Sequence, residues 1–156
     1  MRRADHAVTD PEQILEILNR CKILRIAMQD AEGLYIVPLS FGYVNQNGQY
    51  QFYIHSAKEG RKVTAMSAGC SVAFEMDCNF QLQESEDACH YSCLYASLIG
   101  TGHACLVEDP AEKALGLSAI MRHQSGKEFS FTEQMTKSVA IFRIDVEQMT
   151  GKQKKA

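Results

Sequence analysis

The pair Asn47 and Gly48 constrains the fold of this chain more than any other pair of residues. Residues 34–44 before it alternate, and one face of that segment carries Tyr35, Val37, Leu39, Phe41 and Tyr43. Residues 49–55 after it alternate again. Asn-Gly between two alternating segments is a strong signal of a type I′ turn, because both residues tolerate positive φ. The sequence therefore predicts two antiparallel strands joined by a tight hairpin.

Four further segments have strand-like patterns: residues 22–28, 71–77, 93–107 and 138–146. Six strands with two or three short helices favour a mainly β fold, a six-stranded antiparallel barrel with flanking helices, over a parallel sheet. Gly100 and Gly102 predict a sharp bend or a close backbone approach. The polar residues 79–88 predict a loop, and a basic tail is expected from about residue 150.

Two helices have clear start signals. Asp10 and Asp109 are N-cap acceptors, and each is followed by a proline at the first helical turn. The first helix has an apolar face that must cover other structure. The second is predicted to reach about Arg122. Pro38, inside a predicted strand, indicates either an edge strand or a backbone freed to face a ligand, and both interpretations stay open.

Length and composition indicate one domain over residues 1–156. Apolar residues make up 46% and charged residues 22%, as in ordinary globular proteins. The net charge of −3 argues against a nucleic-acid partner. No apolar run is long enough for a membrane span, and no hydrophobic stretch follows Arg2 and Arg3. The expected location is the cytoplasm.

Six cysteines raise the question of a metal site, since Cys89, His90 and Cys93 lie close together. No Cys-x-x-Cys pair exists, and Cys93 and Cys105 fall in strand-like segments where thiols act as small apolar residues. No metal site is predicted.

The segment 53–62, Tyr-Ile-His-Ser-Ala-Lys-Glu-Gly-Arg-Lys, runs from a strand through a turn into a helical pattern. Unpaired amides at a helix start, together with Ser56, Lys58, Arg61 and Lys62, could bind a phosphate dianion. The glycines of a Walker loop or a Rossmann fingerprint are missing. From these residues alone, a capping box formed by Ser56 and Glu59 beside a solvated basic face is an equal alternative.

The octapeptide His55 to Lys62 resembles the signature of the flavin-binding split-barrel flavoproteins, specifically their nitroimidazole-resistance branch, which is related to pyridoxamine 5′-phosphate oxidase. Similar segments follow in the family's order along nearly the whole chain: residues 1–3, 9–10, 37–43, 89–95, 97–102, 107–110, 121–123 and 149–152. Leu98 and Ala96 depart from the family pattern, in which a valine and a longer polar residue are usual.

The resemblance implies a split β-barrel that binds flavin mononucleotide (FMN) without a covalent bond. The implied cofactor-binding residues are Val37, Pro38, Leu39 and Ser40 beside the ring, His55, Ser56, Ala57, Lys58, Arg61 and Lys62 near or around the phosphate, and His123. In this family the region of His123 contacts the flavin of the opposite subunit, so a homodimer with flavin sites at the interface is implied.

Two of these residues have plainer interpretations. His55 is the one candidate catalytic residue, because the resemblance places it next to the flavin, where it could bind, protonate or position a substrate. A lone histidine at a strand end is about as often an ordinary surface residue. For His123, the residues alone favour a histidine that stabilises the C-terminal dipole of its helix.

The function that follows is an FMN-dependent oxidoreductase that takes electrons from a reduced nicotinamide and reduces nitroaromatic or other small acceptors. One alternative is a non-catalytic module that binds flavin, deazaflavin or haem. A metal-binding or redox-sensing protein built on the cysteines is another. Oxidation of pyridoxamine 5′-phosphate itself is disfavoured, because too few additional basic residues group together for the substrate's own phosphate.

Overall fold

The computed structural model describes residues 4–155, so the Met1 to Arg3 motif lies outside the described residues. The helices are α1 (Pro11–Arg20), α2 (Arg61–Ser67), α3 (Pro110–Ser125) and α4 (Glu133–Thr136), with short 3-10 turns at Ala4–His6 and Ala88–His90. The strands are β1 (Ala7–Val8), β2 (Ile23–Asp30), β3 (Gly33–Gln46), β4 (Gln49–Ser56), β5 (Cys70–Gln83), β6 (Ser92–Leu106) and β7 (Ala140–Lys154).

All strand pairs are antiparallel and belong to one sheet in the order β1-β7-β4-β3-β2-β5-β6, with β6 also paired to β7. Five of the six long strands therefore have two neighbours, and β7 has three. The prediction of a mainly β, antiparallel split barrel with flanking helices is confirmed. A seventh strand, β1, was not predicted, because two residues are too few to form a periodic pattern.

The hairpin between β3 and β4 is also confirmed. Asn47 and Gly48 have φ of 55° and 89°, and Gln46 pairs with Gln49 on either side of them. Asp10 and Asp109 cap α1 and α3 by accepting hydrogen bonds from the backbone N–H of Glu12 and Glu112, at 3.1 and 2.8 Å. Local sequence therefore determines these turns and helix starts.

The close backbone approach predicted at Gly100 and Gly102 occurs where β6 pairs with β7. A Cβ atom at Gly100 would lie 2.1 Å from the carbonyl oxygen of Gln148, and one at Gly102 would lie 2.5 Å from that of Asp145. The register of the two strands shifts between Thr101 and Gly102. Only glycine lets the backbones meet this closely.

Two predicted boundaries were wrong. Strand β5 continues through part of the predicted loop to Gln83, pairing with β6 beyond a bulge between Cys78 and Gln81. Strand β7 continues to Lys154, so the predicted basic tail is a paired strand in which Lys152 lies opposite Ser97. In both places the long partner β6 supplies backbone hydrogen bonds that polar side chains do not reveal. None of the helices within residues 4–155 is long and apolar enough to cross a membrane.

Candidate functional site

Strand β3 changes its partner halfway along its length. Residues 41–46 pair with β4, whereas residues 33–40 pair with β2. Within residues 4–155, no strand pairs with the second edge of residues 33–40. Pro38 lies in this half, opposite Arg25 of β2, so an edge position accounts for the proline. The sheet splits at this point.

The split brings together two sets of predicted site residues. The last pair of the β3–β4 ladder is Phe41 with Ile54. One more step in the same register would place His55 opposite Ser40, and the next would place Ser56 opposite Leu39. Those pairs do not form, because the chain turns away through residues 57–60 into α2. Residues 37–40, the predicted ring-binding stretch, and residues 55–62, the predicted phosphate segment, therefore separate just beyond the Phe41–Ile54 pair. We call this point the fork.

The free edge of β3 offers backbone groups to a ligand. In an antiparallel ladder alternate residues direct their N–H and C=O groups toward opposite neighbours, so about half of the groups in residues 33–40 face away from β2. The side chains of Val37 and Leu39 are half-buried and pack against the core, whereas Pro38 is exposed. A flat ligand lying along this edge would meet mainly backbone groups and apolar surface.

Ser56 is the most unusual residue at the fork. Ser56 is only 5% exposed, and its Oγ has no hydrogen-bond partner among the described residues. The alternative of a capping box formed by Ser56 and Glu59 is excluded, because α2 begins at Arg61 with Gly60 as N-cap and has no side-chain cap. Ser56 instead ends β4, where it pairs with Ala140. A buried hydroxyl without a partner is costly and suggests a missing ligand.

Arg61 is already paired in the structure. Its Nε and Nη2 donate to Oδ2 and Oδ1 of Asp30 at 2.7 and 2.9 Å, and its Nη1 lies 3.5 Å from Oε2 of Glu32. The guanidinium stacks over the ring of Tyr35 at 4.5 Å. Hydrogen bonds from Arg61 lower the pKa of Asp30, so the carboxylate is charged. Sequence reasoning missed Asp30, Glu32 and Tyr35, because nothing local signals that α2 packs beside the β2–β3 turn.

The two lysines of the segment differ from Arg61. Lys58 is exposed and Lys62 is half-buried. Neither forms an ion pair with any carboxylate in the described part of the chain. Since α2 has only seven residues, its dipole is a minor attraction for an anion. Lys58 and Lys62 are therefore the cations of this segment that form no ion pair within residues 4–155.

His55 is exposed and lies opposite Ile141 of β7. The imidazole of His55 has no hydrogen-bond or ion-pair partner among residues 4–155. Its side chain is therefore not committed to holding the fold, and it remains available to a ligand at the fork.

His123 is in a different environment. It is 9% exposed, its Nε2 lies 2.7 Å from the carbonyl oxygen of Cys21, and its ring packs against those of Phe41 and Tyr43. Burial lowers its pKa, so the ring is neutral. It therefore cannot stabilise the helix dipole as a cation. Lys22 does this instead, by donating to the backbone carbonyl of His123 at 2.6 Å.

His123 also lines a cavity of about 760 Å³ between α1, β3 and the end of α3. That cavity shares no residue with the 55–62 segment. His123 nevertheless lies close to the fork, because its ring packs against Phe41, the last β3 residue that pairs with β4.

The fork has the properties that a flavin phosphate and ring need. A buried hydroxyl lacks a partner, two lysines lack counter-charges, and a free strand edge offers backbone groups. The main opposing feature is the pair of carboxylates around Arg61. The unpartnered hydroxyl and the two lysines match the chemistry of an anionic ligand, whereas the carboxylates of Asp30 and Glu32 oppose it.

Comparisons with known proteins give consistent results. No curated protein sequence matches the chain. A solved structure described as a candidate 5-nitroimidazole antibiotic resistance protein from Bacteroides thetaiotaomicron is 30% identical, with a TM-score of 0.78 over 94% of this chain and 85% of that one.

Two other solved structures share the fold at lower identity. A flavocytochrome from Azotobacter vinelandii is 18% identical, with a TM-score of 0.79 over 100% of this chain and 72% of that one. An FAD- and haem-binding protein from Mycobacterium smegmatis is 15% identical, with a TM-score of 0.80 over 97% of this chain and 74% of that one. The family model for pyridoxamine 5′-phosphate oxidase matches residues 10–153, and the chain therefore belongs to the pyridoxamine 5′-phosphate oxidase-like family.

Proposed function

We propose that this protein is an FMN-dependent oxidoreductase in which residues 55–62 bind the flavin phosphate and the free edge of β3 binds the ring. The observation that carries the proposal is the buried, unpartnered hydroxyl of Ser56 at the fork between β3 and β4. Family membership supports a flavin-type cofactor, and the unpartnered hydroxyl of Ser56 and the free edge of β3 support the fork as its site.

The energetics of phosphate binding are sufficient. The phosphate of FMN carries a charge of about −1.5 to −2 near neutral pH. Lys58, Lys62 and the remaining donors of Arg61 would contribute charge-assisted hydrogen bonds of about 1.5–3 kcal/mol each. Micromolar affinity requires about 8 kcal/mol, so two or three such bonds and burial of the ring account for it.

The bound flavin would supply the two-electron chemistry. The protein's own part is to hold the ring along β3, to keep water from its buried face, and to offer a proton near its exposed face. We assign the last role to His55, because its imidazole is exposed at the end of β4 and histidine is the common general acid or base near neutral pH.

The proposal includes a homodimer with flavin sites at the interface. Leu34 and Ile36 project from β3 and are 86% and 62% exposed, and Ile99 on β6 is 54% exposed. Large exposed apolar side chains on a sheet often mark a protein interface. A second chain over β3 would cover these side chains and close the open side of the fork.

We further propose a reduced nicotinamide as electron donor, a small acceptor such as a nitroaromatic compound, and a cytoplasmic location. The 30% identity to the Bacteroides protein supports the acceptor class. The second candidate function is a flavin- or haem-binding module without turnover, supported by the names of the Azotobacter and Mycobacterium neighbours.

The first experiment is a visible spectrum of freshly purified protein, with mass identification of the released cofactor. Flavin bands that bleach on addition of reduced nicotinamide support the oxidoreductase. A Soret band supports the haem module. Protein that is colourless and binds no added FMN contradicts both.

A second experiment tests the phosphate segment. Lys62→Gln should weaken FMN binding about tenfold or more while leaving riboflavin binding unchanged, because riboflavin lacks the phosphate. Lys127→Gln, on an exposed loop after α3, is the matched control. Equal FMN affinity for the Lys62 variant and wild type would remove Lys62 from the site.

A further inference from the structure

We propose that Glu32 is a specificity-determining residue, which occupies the phosphate-binding edge of Arg61 and is displaced by phosphorylated flavins. The inference rests on the proposed function and assigns separate roles to the two carboxylates around Arg61. Asp30 holds the guanidinium in place, and Glu32 competes with the phosphate.

The geometry of the Arg61–Asp30 pair leaves one edge of the guanidinium unused. Asp30 accepts from Nε and Nη2, which form one side of the planar group. A guanidinium has more N–H donors than one carboxylate can accept, so Nη1 and the second N–H of Nη2 remain. The ring of Tyr35 covers one face of the group at 4.5 Å. Arg61 is therefore held by Asp30 and Tyr35 with its end edge still able to donate.

The two carboxylates differ in how firmly they are held. The side chain of Asp30 is 15% exposed, makes both hydrogen bonds to Arg61, and also accepts from the backbone N–H of Glu32 at 2.9 Å. The side chain of Glu32 is 75% exposed and approaches Nη1 only to 3.5 Å, which is long for a hydrogen bond. Moving Glu32 into solvent therefore costs little, whereas moving Asp30 breaks a bidentate pair.

There is also space beside the guanidinium. A cavity of about 160 Å³ is lined by Arg61, Thr64 and the turn residues 30–32. When Glu32 swings into solvent, the end edge of Arg61 becomes open to an anion.

The charges around Arg61 explain why Glu32 affects the choice between phosphorylated and unphosphorylated flavins. Asp30 and Arg61 together are neutral, and Lys58, Glu59 and Lys62 together carry one net positive charge. Glu32 is then the nearby carboxylate that a phosphate must displace or repel. The penalty applies to phosphorylated ligands and does not apply to riboflavin, which lacks the phosphate.

The experiment compares FMN and riboflavin affinities of full-length variants by fluorescence titration at low and high salt. Glu32→Gln should bind FMN about two- to fivefold more tightly than wild type, with riboflavin affinity unchanged. High salt should reduce the difference. Glu86→Gln is the matched control, because Glu86 is an exposed carboxylate in the loop after β5, outside the 55–62 segment, and forms no ion pair with Arg61.

A second variant tests whether Arg61 binds Asp30 with one edge of its guanidinium and the phosphate with another. Arg61→Lys keeps the positive charge, but a single ammonium cannot replace the fork that serves Asp30 and phosphate together. It should weaken FMN binding at least about tenfold and leave riboflavin binding unchanged.

The outcomes separate this inference from the function on which it rests. Unchanged FMN affinity in Glu32→Gln, or an equal gain in Glu86→Gln, overturns the role of Glu32. Full FMN affinity in Arg61→Lys overturns the two-edge arrangement. In each case FMN binding by the wild type leaves the proposed function standing. A wild-type protein that binds neither flavin refutes both.

Discussion

Replacing Ser56 with alanine should change the stability of the unliganded protein and its flavin affinity in opposite directions. Ser56 is 5% exposed and its Oγ has no partner within the described residues. In the unliganded chain the hydroxyl is therefore a buried polar group that has lost its water. In the complex, the same hydroxyl is expected to donate to a phosphate oxygen.

Both magnitudes follow from this environment. A buried polar group without a partner costs about 1–3 kcal/mol, so Ser56→Ala should stabilise the unliganded protein by up to that amount, less a small loss from the vacated volume. A hydrogen bond to a charged group is worth about 1.5–3 kcal/mol, so FMN affinity should fall by about one to two orders of magnitude. Riboflavin affinity should be unchanged.

The assay is urea unfolding of flavin-free protein combined with fluorescence titration by FMN and riboflavin. Ser71→Ala is the control, because Ser71 is an exposed serine on β5 and should change neither quantity. If Ser56→Ala destabilises the unliganded protein and leaves FMN affinity intact, the hydroxyl has a structural role and the phosphate assignment fails.

Three further predictions concern the histidines and the assembly. His55→Ala should keep FMN affinity but slow acceptor reduction in stopped-flow measurements, and unchanged kinetics would remove its proposed role. Burial lowers the pKa of His123, so its contribution to stability is complete above the ordinary value near 6.5 and is lost as the pH falls below it. Urea unfolding at about pH 7.5 and about pH 5.5 should therefore show a larger acid loss for wild type than for His123→Phe, and equal losses would contradict the assignment. Analytical ultracentrifugation should show a dimer, and a stable monomer that retains FMN would contradict the shared site.

Much of the fold follows from local patterns in the sequence. The hairpin at Asn47 and Gly48 and the capped starts of α1 and α3 depend on residues that are neighbours in the chain, and all are confirmed. The end of β7 did not follow, because its polar residues look solvated, whereas its backbone pairs with β6. The alternation of apolar and polar residues predicts which side chains are buried, but it does not predict which distant strand supplies a backbone hydrogen-bond partner.

The candidate site divides in the same way. The segment 55–62 could be proposed as a site from the sequence because strand, turn and basic residues are contiguous, and its role stays a prediction. The pairing of Arg61 with Asp30 could not be proposed in this way, since it depends on how α2 packs against a turn that is 31 positions away in the sequence. The burial of His123 likewise depends on Phe41 and Tyr43, which reach it only through the packing of α3 on β3.

The pairing of strand β7 affects how the chain folds during its synthesis. It pairs with β1, β4 and β6, so the last strand in the sequence joins parts of the sheet that are made much earlier. During synthesis β4 and β6 must wait with unpaired edges until residues 140–154 leave the ribosome, and unpaired edges recruit other chains. Nascent chains that stall before Ala140 should therefore depend on chaperones.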